Sequence, residues 1–382
     1  MTDPRIKYYP VDNADCSLIT LTDETKILID VSITFDAEDE KNKDRYNVRR
    51  DILDNELKKE KEIPFLDVFI LTHPDEDHIR GYNDYFYSGK PENYGAKDKE
   101  NEKIVIGELW YTPILFDRYT AELCEDAIIF KQEAKRRMDL FKEDKSEGNK
   151  DGNRIRIIGY TENKELEGLE ERIVVPGSLI SEFNGKIKSD FRLFIHAPFK
   201  DAFKDDDRNE TSIVFQAKFD VDKKVDAGLS IFCGDAGWRV WEKILDVSNV
   251  EDVNWDLFLA PHHCSWTFFN DNTEEGKKEP KESSLKVLDN KLGSNPVVIS
   301  SSKEIKNNDD NPPSYKAKSQ YVKKVGEKCF LNTATDSGTK PPEPIEFEIK
   351  STGPQRTNKK TKSGTKSLLI GEAVSQPKTY GN

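Results

Sequence analysis

Short apolar runs of strand length crowd both ends of the chain, and they limit its fold more than any other feature. Within the first thirty or so residues IKYYPV, CSLITL and KILIDVS follow one another, separated by the turn-forming stretches DNAD and TDET. That spacing predicts a β-meander. LDVFILT, IVIGELWYT, RIRIIGY, RLFIHA, TSIVFQAKF, GLSIFC, WDLFLAP, PVVISS, KCFLNTA and IEFEIK carry further strands. Helices are expected around DILDNELKKE, over residues 119–141, and at WRVWEKILDV, SSLKVLDNKL and YKAKSQYVKKV. Strands in runs without strict strand–helix–strand alternation favour an α+β fold over a doubly wound sheet. Two stacked mixed β-sheets flanked by helices are therefore expected.

With 382 residues the chain can bury a core without disulfides or a structural metal. No run approaches the roughly 18 to 20 apolar residues of a membrane helix, and MTDPRIKYYP lacks a basic stretch followed by an apolar one. A cytoplasmic protein with no membrane partner is expected. The five cysteines are scattered and never form a Cys-x-x-Cys pair, which argues against a disulfide framework or a thiolate zinc site. The formal charge of −13 is uneven: residues 350–382 carry seven basic residues and one acid, a net of +6, leaving −19 for the rest. The stretch 351–382 is expected to be a basic, mobile tail and residues 1–350 to form the folded domain. An acidic body disfavours non-specific duplex binding, which usually needs a basic surface.

Histidine is rare, with only five in the chain, yet four lie at the ends of predicted strands. LDVFILT runs directly into THPDEDHI at 72–79, which packs His73, Asp75, Asp77 and His78 into one loop. FCGDAG at 232–237 places Asp235 in a Gly-flanked turn after a strand, and LFLAPHHCS ends a strand in His262 and His263. Singly, these could be an acidic turn, an ordinary turn and a cap. Together they supply imidazole and carboxylate, a mixture suited to zinc, manganese or iron. The fifth histidine, His196, lies mid-strand in LFIHAPF and reads as structural.

The order of these motifs, with NETSIVF at 209–215 between them, resembles the metallo-β-lactamase fold, an αββα sandwich. More narrowly, it resembles the hydrolase domain of ComEC-type competence proteins and their free-standing soluble relatives, which carry an Asp where Asp75 stands. DNADCSLI, KILIDVS and KCFLNTATDSG extend the likeness over roughly residues 5–350. The resemblance implies two divalent metal ions, zinc or manganese. His73 and Asp75 would ligate one, Asp77 and His78 the second, and Asp235 would bridge both. One of His262 and His263 would complete the second site. Asn209 would be a weak ligand or a substrate contact, and Asp15 or Asp30 would brace the site. Two positions depart from the family: Cys264 replaces a usual Gly, and SSSKEIKNNDDNPPS has Asn311 before Pro312 but lacks a histidine.

The implied function is metal-dependent hydrolysis of a phosphodiester, as a nuclease or on a cyclic nucleotide, with Asp77 and Asp235 holding the attacking hydroxide. The alternative is a non-catalytic or regulatory subunit of the same fold in a multiprotein assembly. By resemblance that assembly could serve anti-phage defence.

Overall fold

The computed structural model describes residues 2–357 apart from 40, 61, 117–121, 161–163, 201–207, 272–278 and 294. It is a mixed arrangement of sheets and helices. Among the described residues one sheet has ten strands and another seven, beside a short hairpin, Glu182–Phe183 with Lys186–Ile187.

The expected meander forms as Arg5–Tyr8, Ser17–Thr20 and Lys26–Ile29, paired antiparallel in chain order. Lys26–Ile29 then pairs in parallel with Ile63–Ile70, which pairs with Val105–Tyr111, and that strand with Arg154–Ile158. Val105–Tyr111 is buried along its whole length, as a parallel strand covered on both faces must be. The seven-stranded sheet has the same two-part build. Phe191–Ala197, Val214–Val221 and Lys224–Phe232 run antiparallel, followed in parallel by Leu257–Leu259, Val297–Ser300 and Phe330–Asn332.

Neighbouring residues on a strand face opposite ways, and this alternation sorts the core into three clusters. Ile27, Ile29, Val68 and Ile70 of the first sheet meet Phe215 and Leu257 of the second in one cluster. Leu28 and Phe69 face the other way, onto Phe130 and Met138 of the helix Glu125–Glu143. Ile231 and Phe258 of the second sheet likewise pack on Trp241 of the helix Trp238–Val247 and Tyr321 of the helix Tyr315–Val325. Gly228 marks a close approach between the sheets, since a Cβ there would sit 2.5 Å from Ile349 Cγ2.

Several elements differ from expectation. The helix near DILDNELKKE is Val48–Asp51 continued by a π-turn, Ile52–Glu56, and its last residues instead form the edge strand Lys58–Glu60. Its acids are drawn inward by lysines: half-buried Lys7 has its Nζ 2.9 Å from Asp51 Oδ2, and buried Lys26 has its Nζ 3.1 Å from Glu56 Oε2. The helix expected over 119–141 is Glu125–Glu143, and residues 119–121 lie outside the described residues. The first sheet extends past the boundary drawn at 350, because Gly353–Arg356 folds back on Ile345–Lys350. Residues 358–382 of the expected tail lie outside the described residues. Among the described residues no helix is long and apolar enough to cross a membrane.

Candidate metal centre

Parallel strands of both sheets end together, and their exits carry the cluster. After Lys26–Ile29 the chain turns at Asp30, in a left-handed conformation (φ +53°). The Asp30 carboxylate accepts hydrogen bonds from Thr72 N and Thr72 Oγ1, both at 2.7 Å, and so pins the exit of Ile63–Ile70. From the second sheet, Lys224–Phe232 leads to Gly234 (φ +50°) and Asp235, whose N–H donates to Ser212 Oγ at 3.1 Å. A Cβ on Gly234 would lie 2.9 Å from Thr72 Oγ1, so glycine answers both the backbone and the space there. Leu257–Leu259 ends in His262, His263 and Cys264, three successive residues with φ of +50°, +52° and +67°. Non-glycine residues held there carry strain, of a kind that gathers at functional sites.

The Asp235 carboxylate is the meeting point. Its Oδ2 lies 3.6 Å from His73 Nε2 and 3.5 Å from His262 Nε2. Its Oδ1 lies 3.0 Å from His78 Nε2 and 3.8 Å from His263 Nε2. Each oxygen therefore faces one imidazole from each sheet. Asp75 Oδ2 is 3.9 Å from His73 Nε2 on the first side. On the second side Asp77 lies 3.9 Å from His78 Nε2 and 3.1 Å from His263 Nε2. Asp77, His78, Asp235 and His263 form a group whose ligand atoms all lie within 4.8 Å of one another; Asp15, Asp30 and His78 form another.

The far ring nitrogens are held from behind. His78 Nδ1 is 2.8 Å from Asp30 Oδ2, His73 Nδ1 is 3.2 Å from Thr72 Oγ1, and His262 Nδ1 is 3.1 Å from Thr267 Oγ1. Asp15 stands behind two rings, 4.0 Å from His78 Nδ1 and 3.7 Å from His263 Nδ1. This is the support that metal-binding imidazoles require, since a partner on one nitrogen orients the other. His73 Nε2, His78 Nε2 and Asp235 Oδ1 are buried and make no hydrogen bond; the last two are close but not aligned for one. Buried polar atoms rarely stay unpaired, and here they converge as ligands would. The donor set fits a divalent metal.

The electrostatics agree. Burial alone would raise the Asp235 pKa, but His78, His262, His263 and His73 hold it well below the usual carboxylate range. Burial would lower the His263 pKa, yet Asp235, Asp15 and Asp77 push it up to about 10. His78 is likewise raised well above its ordinary value, against burial, by Asp235 and Asp30. Without a metal, protons on His78 and His263 would balance the carboxylates. Metal binding must displace them.

Nine of the ten residues singled out from the sequence thus come together: His73, Asp75, Asp77, His78, Asp235, His262, His263, Asp15 and Asp30. His262 and His263, between which the sequence left the choice open, face different oxygens of Asp235. Asn209 opens the turn Asn209–Thr211, and Ser212, which follows that turn, accepts from Asp235 N. Glu76 faces outward. Cys264 is buried with its Sγ 3.9 Å from Ser314 O, a packing position. His196 is buried near Ser248, away from the cluster. Arg208, whose Nε lies 2.9 Å from Asp75 Oδ1, was not foreseen; neither were Ser212 and Thr267. No protein-family model matches the chain, and no curated protein matches it.

Proposed function

We propose that this chain is a metal-dependent phosphodiesterase of the metallo-β-lactamase fold, whose histidines and aspartates around Asp235 would hold two divalent ions, zinc or manganese. The observation that carries the reading is the division of four imidazoles into two pairs, one on each oxygen of a single buried carboxylate. The two sheets sharing a core, with helices packed on their outer faces, support the αββα sandwich of that fold.

His73, Asp75 and His262 would hold one ion, and Asp77, His78 and His263 the other. When bound, such a pair supplies Lewis acidity and lowers the pKa of water, the chemistry that phosphodiester hydrolysis needs. The chain's own residues do the rest. Asp30 and Asp15 keep the rings turned toward Asp235. Asp77, one-third exposed, stands at the open side and stays ionised because His263 and His78 outweigh its burial, so it accepts a proton-bearing oxygen there. Arg208, beside Asp75 at the same opening, is placed to donate to an anionic phosphate oxygen. The acidic body favours a small phosphodiester, such as a cyclic nucleotide, or a nucleic-acid strand gripped only at the metals.

One contact favours a second reading, a non-catalytic subunit in a multiprotein assembly. Arg208 already neutralises Asp75, which the first ion would need. The deciding experiment is hydrolysis of a chromogenic phosphodiester by metal-stripped protein titrated with manganese or zinc, beside Asp235→Asn. Turnover that returns with metal and is absent in the variant is the expected result. Folded protein that binds metal without turnover would establish the second reading.

A further inference from the structure

We infer that Asn311 fixes which ring nitrogen of His262 carries the proton, and so keeps the Nε2 lone pair of that ring aimed at Asp235. Asn311 lies in the stretch that departs from the resembled family, and no role in the site has been given to it. Its consequence for metal binding rests on the metal-centre reading, whereas the order of protons rests on the hydrogen bonds alone.

The order follows from counting donors. The backbone N–H of Trp266 points at Asn311 Oδ1 at 2.7 Å. A backbone amide only donates, so this atom of the Asn311 side chain must be its oxygen. Ser265 Oγ lies 2.9 Å from the same oxygen and donates its single proton to it. Having spent that proton, Ser265 Oγ can only accept from Thr267, whose Oγ1 lies 3.0 Å away and whose N–H lies 3.2 Å away. Thr267 Oγ1 in turn has given up its proton, so at 3.1 Å from His262 Nδ1 it can only accept. His262 therefore carries its proton on Nδ1 and its lone pair on Nε2, the atom 3.5 Å from Asp235 Oδ2.

The relay runs one way because it starts at a backbone amide, which cannot rotate or reverse. Ser265 is fully buried, which shields the middle link from water. The loop is further tied by Ser265 N donating to His262 O at 2.8 Å and by Ser314 N donating to Cys264 O at 2.9 Å. Without the Asn311 acceptor, Ser265 is free to turn its proton toward Thr267, and Thr267 can then donate to His262 Nδ1. That reversal would put the ring proton on Nε2, where it blocks a metal. Asn311 is thus a positioning residue acting through two hydroxyls.

The test uses the full chain, metal-stripped and labelled with ¹⁵N-histidine, with His262→Gln to assign the resonance. Wild type should show His262 protonated at Nδ1 and bare at Nε2. Asn311→Ala and Thr267→Val should each shift His262 toward the other form, while Asn311→Asp, which keeps the acceptor, should retain the wild-type signals. Zinc titration by calorimetry gives a second readout. Asn311→Ala should weaken one equivalent by about 10- to 100-fold and leave the other in place. An unchanged Nδ1–H signal in folded Thr267→Val and Asn311→Ala would overturn the relay. Wild type with the expected signals but no zinc uptake would uphold the relay and sink the metal-centre reading.

Discussion

Burial sets the character of His196 more than any partner does, lowering its pKa to about 4 against the small opposing pull of Asp252. The unfolded chain takes up this proton near pH 6.5 and the folded chain resists it. Stability should therefore fall as pH drops from about 6.5 toward 4, by up to about 3 kcal/mol. Urea unfolding at pH 7 and 5.5 should show a smaller loss for His196→Gln than for wild type. In the metal-free protein His263 works with the opposite sign: its raised pKa contributes fully below about 6.5 and is lost as pH rises toward about 10. Glu56 offers a different kind of dependence, because it sits against both Lys7 and Lys26 under the first sheet. Glu56→Ala takes a carboxylate from both lysines, leaving buried Lys26 with Glu24 at 3.7 Å and Lys7 with Asp51 at 2.9 Å, and should cost about 3 kcal/mol in chemical denaturation, whereas a change at exposed Glu76 should cost almost nothing. The metal-type residues were legible because histidine is scarce in this chain and sits at strand ends. Arg208, Ser212 and Thr267 were not, since arginine, serine and threonine occur throughout the sequence and only their contacts set these three apart.

Long elements announce themselves and short ones do not. Trp238–Val247 and Tyr315–Val325 coincide with the segments read from helical periodicity. Ile173–Val174 and Leu179–Ile180 are two residues each, too short to display any period, and they were not foreseen. Backbone conformation was equally hidden: nothing in PHHC foretells three left-handed residues in succession. Gly234 was visible as a turn glycine, but its close approach to Thr72, at the exit of Ile63–Ile70, and to Ser212, just before Val214–Val221, was not. Gly234→Ala should push these segments apart and strain the turn, so a circular dichroism spectrum close to wild type should accompany weakened zinc binding. A wild-type zinc affinity in that variant would show that their spacing is not what assembles the cluster.

The group of Asp77, His78, Asp235 and His263 draws on both sheets, since Asp77 and His78 follow a strand of one while Asp235 and His263 follow strands of the other. A metal bound there ties the two halves and stabilises only the folded chain. Thermal unfolding with and without a chelator should therefore differ, by about 2.7 kcal/mol when free metal exceeds its dissociation constant a hundredfold. No difference would mean that the cluster does not hold a metal in solution. The two-sheet plan was legible from strand runs at both ends of the chain, but not that the final strands return to the first. Arg5–Tyr8 lies between Ser17–Thr20 and Ile345–Lys350, and Ile349 N donates to Pro4 O at 2.8 Å. The order of chain connections is thus closed into a loop by that clasp, and the covalent starting point becomes arbitrary. A permutant that joins residue 357 to residue 2 by a linker long enough to run back along Gly353–Arg356, and that opens in the polar turn near Lys150, would thread the strands in a new order. Every side chain facing Asp235 would still arrive at its place, because the sheets and not the sequence of linkage determine where the exits meet.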